Sequence, residues 1–351
     1  MDAGSEERAA EEMKIRKLFL LHTGLSTFIF LFIVKRILSP SVMSQDAYEP
    51  LFHPQRQSAT LQDEAFSYHL NLSLFLSEYP HLQTDRCSVL LTPELTRDPP
   101  LPLLLLAVKS KPQSTGRRSV LRQTWARQRV VEGYMVRPVF LMAQTNSSGF
   151  MKLVEEESKE YNDILQWDFT EGHHNLSLKE RCFLEWLHFN VPHVRYVFKG
   201  DDDEFVNPSA LVRYIKEHGT PRSLHGALQH HSIVLRYSKY QVSTSLFPNP
   251  KYPNFLSGGG YLFPGASLPL LYRASQEIPV FPLDDVYLGF LVLAANLSLT
   301  NDKRFYVWGL KFDPCHFRQA LVVHGINMEN LVKMWAEVQE AKCEPAKAAV
   351  R

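Results

Sequence analysis

The residues best able to do chemistry sit in one run, RYVFKGDDDEFVN (residues 195–207), where an apolar stretch leads straight into Asp201, Asp202, Asp203 and Glu204. A charge run is ordinarily a solvated face. This one follows the carboxyl end of a predicted buried strand, where three consecutive carboxylates repel one another unless a cation neutralises them. Hard oxygen donors suit Mg2+ or Mn2+, and a divalent ion shared with a diphosphate accounts for the cluster. A second acidic pair, Asp284-Asp285 in FPLDDVYLGFLVL, opens a predicted helix after Pro282. Helix capping accounts for such a pair through free N–H groups and the helix dipole. A carboxylate fixed there and kept off the metal can equally accept a proton from an incoming hydroxyl, so both roles stay open.

Between these two clusters, YPNFLSGGGYLFPG places Gly258, Gly259 and Gly260 after an aromatic segment. Three glycines allow close backbone approach to a ligand, or simply make a bulge. Upstream, STGRRSVLRQTW sets Arg118 and Arg122 four apart on one helix face, as a phosphate clamp or a solvated basic face. The histidine pairs His173-His174 and His230-His231 do not have the spacing of a zinc protease, and no nucleophile elbow, Walker loop or GxGxxG fingerprint is present.

The elements that must position these residues alternate. LPLLLLAV (101–108) is a continuous apolar run of strand length, followed by a predicted helix at 114–128. Strands at 136–144, 164–169 and 194–199 then alternate with helices at 150–161 and 178–189. This is the pattern of βαβ units in a mostly parallel sheet, in which ligands bind beyond the carboxyl ends of strands.

Among 351 residues, 38 Lys and Arg face 37 Asp and Glu, for a formal net charge of +1. No charge excess exists to neutralise phosphates, which excludes a dedicated nucleic-acid binder. A chain that is 45% hydrophobic and 21% charged is globular, not disordered. Cys87, Cys182, Cys315 and Cys343 form no CxxC pair, leaving room for one or two disulfides.

The run LFLLHTGLSTFIFLFIV (18–34) is uncharged, bracketed by basic residues and followed by no small-x-small site, so it reads as an uncleaved signal anchor. Arg8, Lys14, Arg16 and Lys17 favour a cytosolic amino terminus. The expected organisation is a cytosolic tail at 1–17, the span at 18–34, a proline-rich lumenal stem and lead-in at 35–100, the main domain at 101–343 and a tail at 344–351. Lumenal sequons stand at Asn71, Asn146, Asn175 and Asn296, whereas Pro208 excludes Asn207.

Taken in order, RRSVLRQTW (117–125), DFTEGHHNLSLK (168–179), VFKGDDDEFVN (197–207), YPNFLSGGGYLF (252–263) and DDVYLG (284–289) resemble the motif series of the Golgi β1,3-glycosyltransferases, over about residues 100–340. The forms FKGDDD, triple glycine and DDV most resemble the β1,3-N-acetylglucosaminyltransferases. The resemblance implies a GT-A fold, a Rossmann-like nucleotide-binding α/β sandwich. It also implies UDP-N-acetylglucosamine (UDP-GlcNAc) as donor, Mn2+ or Mg2+, a galactose-terminated acceptor such as N-acetyllactosamine, and a single-pass type II place in the Golgi membrane with a lumenal catalytic domain.

Carried over by motif, the aspartate run holds donor ribose and metal, with Asp203 the direct ligand. His324 in LVVHG completes the metal shell, and Asp285 is the catalytic base. The donor-binding set is then Lys109, Arg118, Arg122, Asp168, Lys179, Asp201 and Asp202, and the loop facing donor and acceptor is Gly258, Gly259, Gly260, Tyr261 and Asp284. This sequence departs from the family pattern at Glu171, where an aspartate is common, at His173, where an aromatic is usual, and at Glu204, where an apolar residue is typical. Val191-Pro192 replaces a Cys-Pro, so the family's disulfide pattern does not carry over. The competing readings are a β1,3-galactosyltransferase, a lumenal glycan-binding or chaperone protein with this fold and no turnover, and a retaining hydrolase built on paired carboxylates.

Overall fold

The structure, a computed structural model, describes residues 58–96 and 99–343. The chain starts with an antiparallel hairpin of β1 (Ser58–Gln62) and β2 (Ser67–Asn71). The Asn71 side chain then caps α1 (Leu72–Glu78) by accepting from the Ser73 N–H. Next come α2 (Pro80–Thr84), with proline in its first turn, and β3 (Val89–Leu91).

The apolar run becomes β4 (Leu103–Lys109), buried along its whole length. Its side chains alternate between two cores: Leu103, Leu105 and Ala107 enter one, Leu104, Leu106 and Val108 the other. Burial on both faces is why the run is continuously apolar. There follow α3 (Thr115–Gln123), β5 (Arg129–Val131), β6 (Tyr134–Gln144), α4 (Ser148–Tyr161), β7 (Ile164–Thr170), α5 (Leu176–Asn190) and β8 (Tyr196–Asp201). The second half contributes β9 (Glu204–Val206), α6 (Pro208–His218), β10 (Ser223–Gln229), β11 (Phe255–Pro264), α7 (Leu268–Glu277) and α8 (Asp284–Ala294). It ends with β12 (Ser298–Asn301), β13 (Phe305–Tyr306), α9 (Pro314–Gln319), β14 (Val322–His324) and α10 (Met328–Glu340).

The main sheet runs β12-β10-β11-β8-β4-β6-β7-β3, with β5 added to β6. Its centre, β8-β4-β6-β7, is parallel as predicted. The sheet as a whole is mixed, because β11 runs antiparallel to β8, and β3 and β5 antiparallel to β7 and β6. A small second sheet, β13-β14-β9, lies at the end of β8. Helix α3 stops at Gln123, short of the predicted 128. The chain turns inward there to bury Trp125, whose indole N–H donates to the Glu204 carbonyl at 2.8 Å.

The described part of the predicted stem is folded. Tyr68, Leu70, Phe75 and Leu82 are fully buried in the same core as Leu103 and Leu105. The Gln83 amide donates to the Val280 carbonyl at 2.9 Å and accepts from its N–H at 3.0 Å, and Cys87 is bonded to Cys182 on α5. The main domain therefore takes in the described residues from Ser58 on, among which Pro80 starts a helix and Pro93, Pro99 and Pro100 link elements. A second disulfide joins Cys315 to Cys343. The expected anchor at 18–34 and both tails lie outside the described residues, and no helix among the described residues is long and apolar enough to cross a membrane.

A chain truncated to begin at Leu101 is expected to lose its fold, whereas one beginning at Ala47 keeps it. Four buried side chains worth about 2 kcal/mol each, and a disulfide whose 95-residue separation is worth about 4 kcal/mol, together match the whole stability of an ordinary domain. Near-ultraviolet circular dichroism and thermal melting of the two chains check this. A cooperative melt from the shorter chain would restore the boundary at 100.

Candidate active site

Strands β4 and β8 are neighbours in parallel register, so Lys109 and Asp201 meet at their carboxyl ends. Beyond Asp201 the chain turns through Asp202 and Asp203 into β9, and β14 pairs back onto β9 with His324 opposite Glu204. The Ile326 N–H fastens this return by donating to the Asp203 carbonyl at 2.8 Å. His324 Nε2 thereby comes within 3.6 Å of Asp203 Oδ1 and 4.0 Å of Asp201 Oδ2. One ligand atom from each of Asp201, Asp203 and His324 falls within a 4.8 Å group. Burial, and then the charges of Asp201 and Asp202, raise the Asp203 carboxyl above its ordinary value. Two carboxylates and an imidazole so crowded make a donor set fitted to Mn2+ or Mg2+. Asp202 is turned elsewhere: it accepts from Ser110 Oγ and from Arg117, both at 2.8 Å.

The second acidic pair arrives from the start of α8. The residue before the helix is Leu283, with no side-chain cap, so Asp284 and Asp285 lie in the first turn and neither is the cap residue. Lys109 joins the pair to the cluster, its Nζ lying 3.1 Å from Asp201, 3.2 Å from Asp284 and 3.3 Å from the Gly258 carbonyl. Burial opposes the charge of Lys109, but Asp201 and Asp284 hold the ammonium well above its usual range. Against the same opposition from burial, Lys109 and Lys199 keep Asp284 ionised down to about 2. Asp285 goes the other way: burial, then the Asp284 charge, push it up to about 7. Two adjacent carboxylates pushed apart in this way are candidates for divided acid and base roles.

The glycines open the floor between base and cluster. A Cβ on Gly258 would stand 3.7 Å from the Asp285 Cβ, and one on Gly259 would stand 3.3 Å from the His324 ring. Gly260 has φ +111° and a Cβ there would meet Val322 at 2.9 Å, so only glycine fits.

Several predicted site residues are placed elsewhere. Arg118 is fully buried and forks onto Glu157 at 2.8 and 2.6 Å, while Arg122 binds Asp163 at 2.8 Å and Glu157 at 2.7 Å. The face they share is turned to α4, so the expected phosphate clamp is a buried tie between helices. Lys179 is likewise buried, on Glu171 at 2.7 Å and on the Ser110 and Leu141 carbonyls, where it braces the ends of β4 and β6. The Tyr261 hydroxyl points into the core, donating to Glu180 at 3.0 Å, and does not line the loop. Asp168 is exposed on β7, bonded to the Gln144 amide.

Sequence reasoning passed over Arg117, half-exposed beside Asp202; its only signal was its place next to Arg118 in the motif. Glu204, where an apolar residue is typical, is buried and its carboxyl is raised well above the ordinary range, by burial and then by Asp201. Burial of this kind disfavours the charged form of the carboxyl. Of the sequons, Asn146 and Asn296 are exposed. The Asn175 amide is already committed to the Thr170 carbonyl at 2.7 Å, with its oxygen buried, which argues against a glycan there. A cleft of about 660 Å3 opens beyond β4, β6 and β7, lined by residues that include Lys111, Gln144, Thr145, Thr170 and His173.

Residues 116–303 match the family described as Galactosyltransferase. The chain belongs to that family. Its resemblance to the β1,3-glycosyltransferases, drawn from five motifs, also holds across curated relatives. The human acetylgalactosaminyl-O-glycosyl-glycoprotein beta-1,3-N-acetylglucosaminyltransferase is 36% identical over 249 residues, 66% of this chain and 65% of that relative. Beta-1,3-galactosyltransferase 5 of Pan paniscus is 34% identical over 244 residues, 68% of this chain and 81% of the relative. Human UDP-GlcNAc:betaGal beta-1,3-N-acetylglucosaminyltransferase 9 is 35% identical over 67% of this chain and 65% of its own length. This galactosyltransferase-family chain thus spans about two thirds of the length of the two N-acetylglucosaminyltransferases. Among solved structures, a glycosyltransferase involved in glycosylation of the major capsid of PBCV-1 covers 67% of this chain at 13% identity and TM-score 0.38, too slight a likeness to argue from.

Two outcomes follow from this geometry. The folded state holds the Asp285 proton up to about 7, whereas the unfolded chain releases it near 4. The side chain therefore contributes least to stability above neutrality, and Asp285→Asn should melt higher than wild type at pH 8, with the gain gone by pH 4. Equal melting curves at pH 8 would contradict the raised value. Arg118→Ala should cost about 3 kcal/mol in denaturant unfolding, because it removes the forked partner of buried Glu157 and leaves Arg122 as its cation. A variant of wild-type stability that bound nucleotide poorly would return Arg118 to the phosphate clamp.

Proposed function

We propose that the protein is an inverting β1,3-glycosyltransferase that moves N-acetylglucosamine from UDP-N-acetylglucosamine to the 3-hydroxyl of a terminal galactose, anchored as a type II protein in the Golgi membrane. The observation that carries the reading is Asp285, a carboxylate poised near neutrality across a glycine floor from the Asp201–Asp203–His324 cluster. Those three residues would hold Mn2+ or Mg2+, which when bound neutralises charge on a diphosphate. Asp285 accepts the acceptor hydroxyl proton as the oxygen attacks the anomeric carbon and the bond to UDP breaks, so no enzymic nucleophile is needed. Arg117 and Lys109 supply cationic charge beside the leaving group, and the cleft beyond β4, β6 and β7 receives the nucleoside.

N-acetylglucosamine as donor rests on the forms FKGDDD and DDV and on relatives named for that sugar. Galactose is the second reading, supported by a galactosyltransferase relative of nearly equal identity.

The deciding experiment incubates the full chain with N-acetyllactosamine and either UDP-sugar, with and without Mn2+, scoring UDP release and product linkage. Metal-dependent transfer from UDP-N-acetylglucosamine alone is expected. Transfer from UDP-galactose alone would exchange the donor, and no transfer from either would favour a glycan-binding protein. Asp285→Asn should lower kcat by about 10²–10⁴-fold with UDP affinity retained. Asp203→Ala should abolish metal-dependent UDP binding in calorimetry without lowering the melting temperature.

A further inference from the structure

Trp308 is 88% exposed, more than any other large apolar side chain among the described residues. An indole left in water forgoes the burial that normally fixes it, and flat amphipathic rings exposed at a site are the usual anchors of recognition.

Its place is specific. Strand β13 runs parallel to β14, which carries His324. The chain then turns, with the Gly309 N–H donating to the Tyr306 carbonyl at 3.2 Å and Gly309 at φ +81°. Val307 seats this turn on the site floor: a Cβ on Gly259 would lie 3.4 Å from the Val307 Cβ and 3.3 Å from the His324 ring. The next residue back along β11, Gly258, is the one beside Asp285.

The sheet order separates two sides. The cleft lies beyond β4, β6 and β7, on one side of β8 in the sheet order, and β11 lies on the other; Asp285 approaches β11 at Gly258 and Val307 approaches it at Gly259. A sugar whose hydroxyl reached Asp285 over β11 would have the turn that bears Trp308 as its neighbour. A galactopyranose ring presents the C–H bonds of C3, C4 and C5 on one face, and that apolar face matches an exposed indole.

We propose that Trp308 is the stacking platform for the acceptor's terminal sugar ring, and so a specificity residue for galactose-type acceptors. The inference rests on the transferase reading above for the side on which acceptor binds. Its charge-free surface also sets it apart from the acidic and basic groups that would hold the donor.

The test uses the full chain, UDP-N-acetylglucosamine as donor for the KM, UDP for calorimetry, and N-acetyllactosamine. Trp308→Ala should raise the acceptor KM by about tenfold or more, with UDP affinity by calorimetry within about twofold of wild type, and Trp308→Phe should regain most of the loss. Titrating N-acetyllactosamine should quench tryptophan emission in wild type and not in Trp308→Phe. An unchanged acceptor KM together with no quench would overturn the proposal, as would a parallel loss of UDP affinity, which would make Trp308 a structural residue of the turn. The quench needs no turnover. If neither UDP-sugar is transferred, the transferase reading fails alone, and quenching still decides whether Trp308 meets the glycan.

Discussion

The buried ammonium of Lys109, held between Asp201 and Asp284, is the contact on which the rest of the site depends. Several carboxylates converge at one end of the sheet, and without a fixed cation among them their repulsion would splay the ends of β8 and α8 apart. Lys109 also divides their roles. By keeping Asp284 ionised it leaves a negative charge beside Asp285, and that charge, added to burial, lifts the neighbour toward neutrality. The position of the ammonium follows from β4: a strand buried on both faces cannot slip in register without turning its apolar side chains out of both cores. An apolar run thus fixes a cation, the cation fixes one carboxylate, and that carboxylate tunes another.

Beneath the site lies a layer of buried ion pairs, of which only Glu171 reaches the lining of the cleft. Arg118 with Glu157 ties α3 to α4, Lys179 with Glu171 braces the ends of β4 and β6, and Lys199 with Glu180 and Tyr261 links β8, α5 and β11. Each is costly to break, because removing one partner strands a charge in the core. Their mechanical meaning is that strand ends carrying Lys109, Ser110 and Asp201 are held from below. Asp202 is the visible result, aimed by Ser110 and Arg117 away from the cluster its neighbours form.

Local patterns were legible wherever one physical demand dominated. The alternation from residue 101 to 201 was readable because doubly buried strands must be apolar and their crossover helices amphipathic. The grouping of Asp201 and Asp203 at one end of the sheet was legible because consecutive carboxylates after such a strand are held at its carboxyl end. Arg118, Arg122 and Lys179 were misjudged because a basic residue in a motif looks the same whether it meets a phosphate or a buried glutamate; only the direction of its helix face decides. The extent of the lead-in at 58–96 was not legible, beyond a stem and lead-in before residue 101, because its short elements owe their order to distant partners such as Val280 and Cys182, which no local window contains. The antiparallel β11 was missed for the same reason, since strand direction is a property of pairing, not of composition.

The reach of that lead-in bears on how the chain is made. Tyr68 packs edge-on against Phe290 and Phe75 against Phe281, while Gln83 exchanges hydrogen bonds with a residue 197 positions later. A polypeptide emerging from its amino end produces the hairpin and first helices long before the segment that covers them exists. During that interval their apolar faces stay open to water, to chaperones and to other nascent chains. The segment around residues 280–290 therefore acts as the closing layer of the lead-in, and synthesis that halts before it leaves those aromatic faces without their cover.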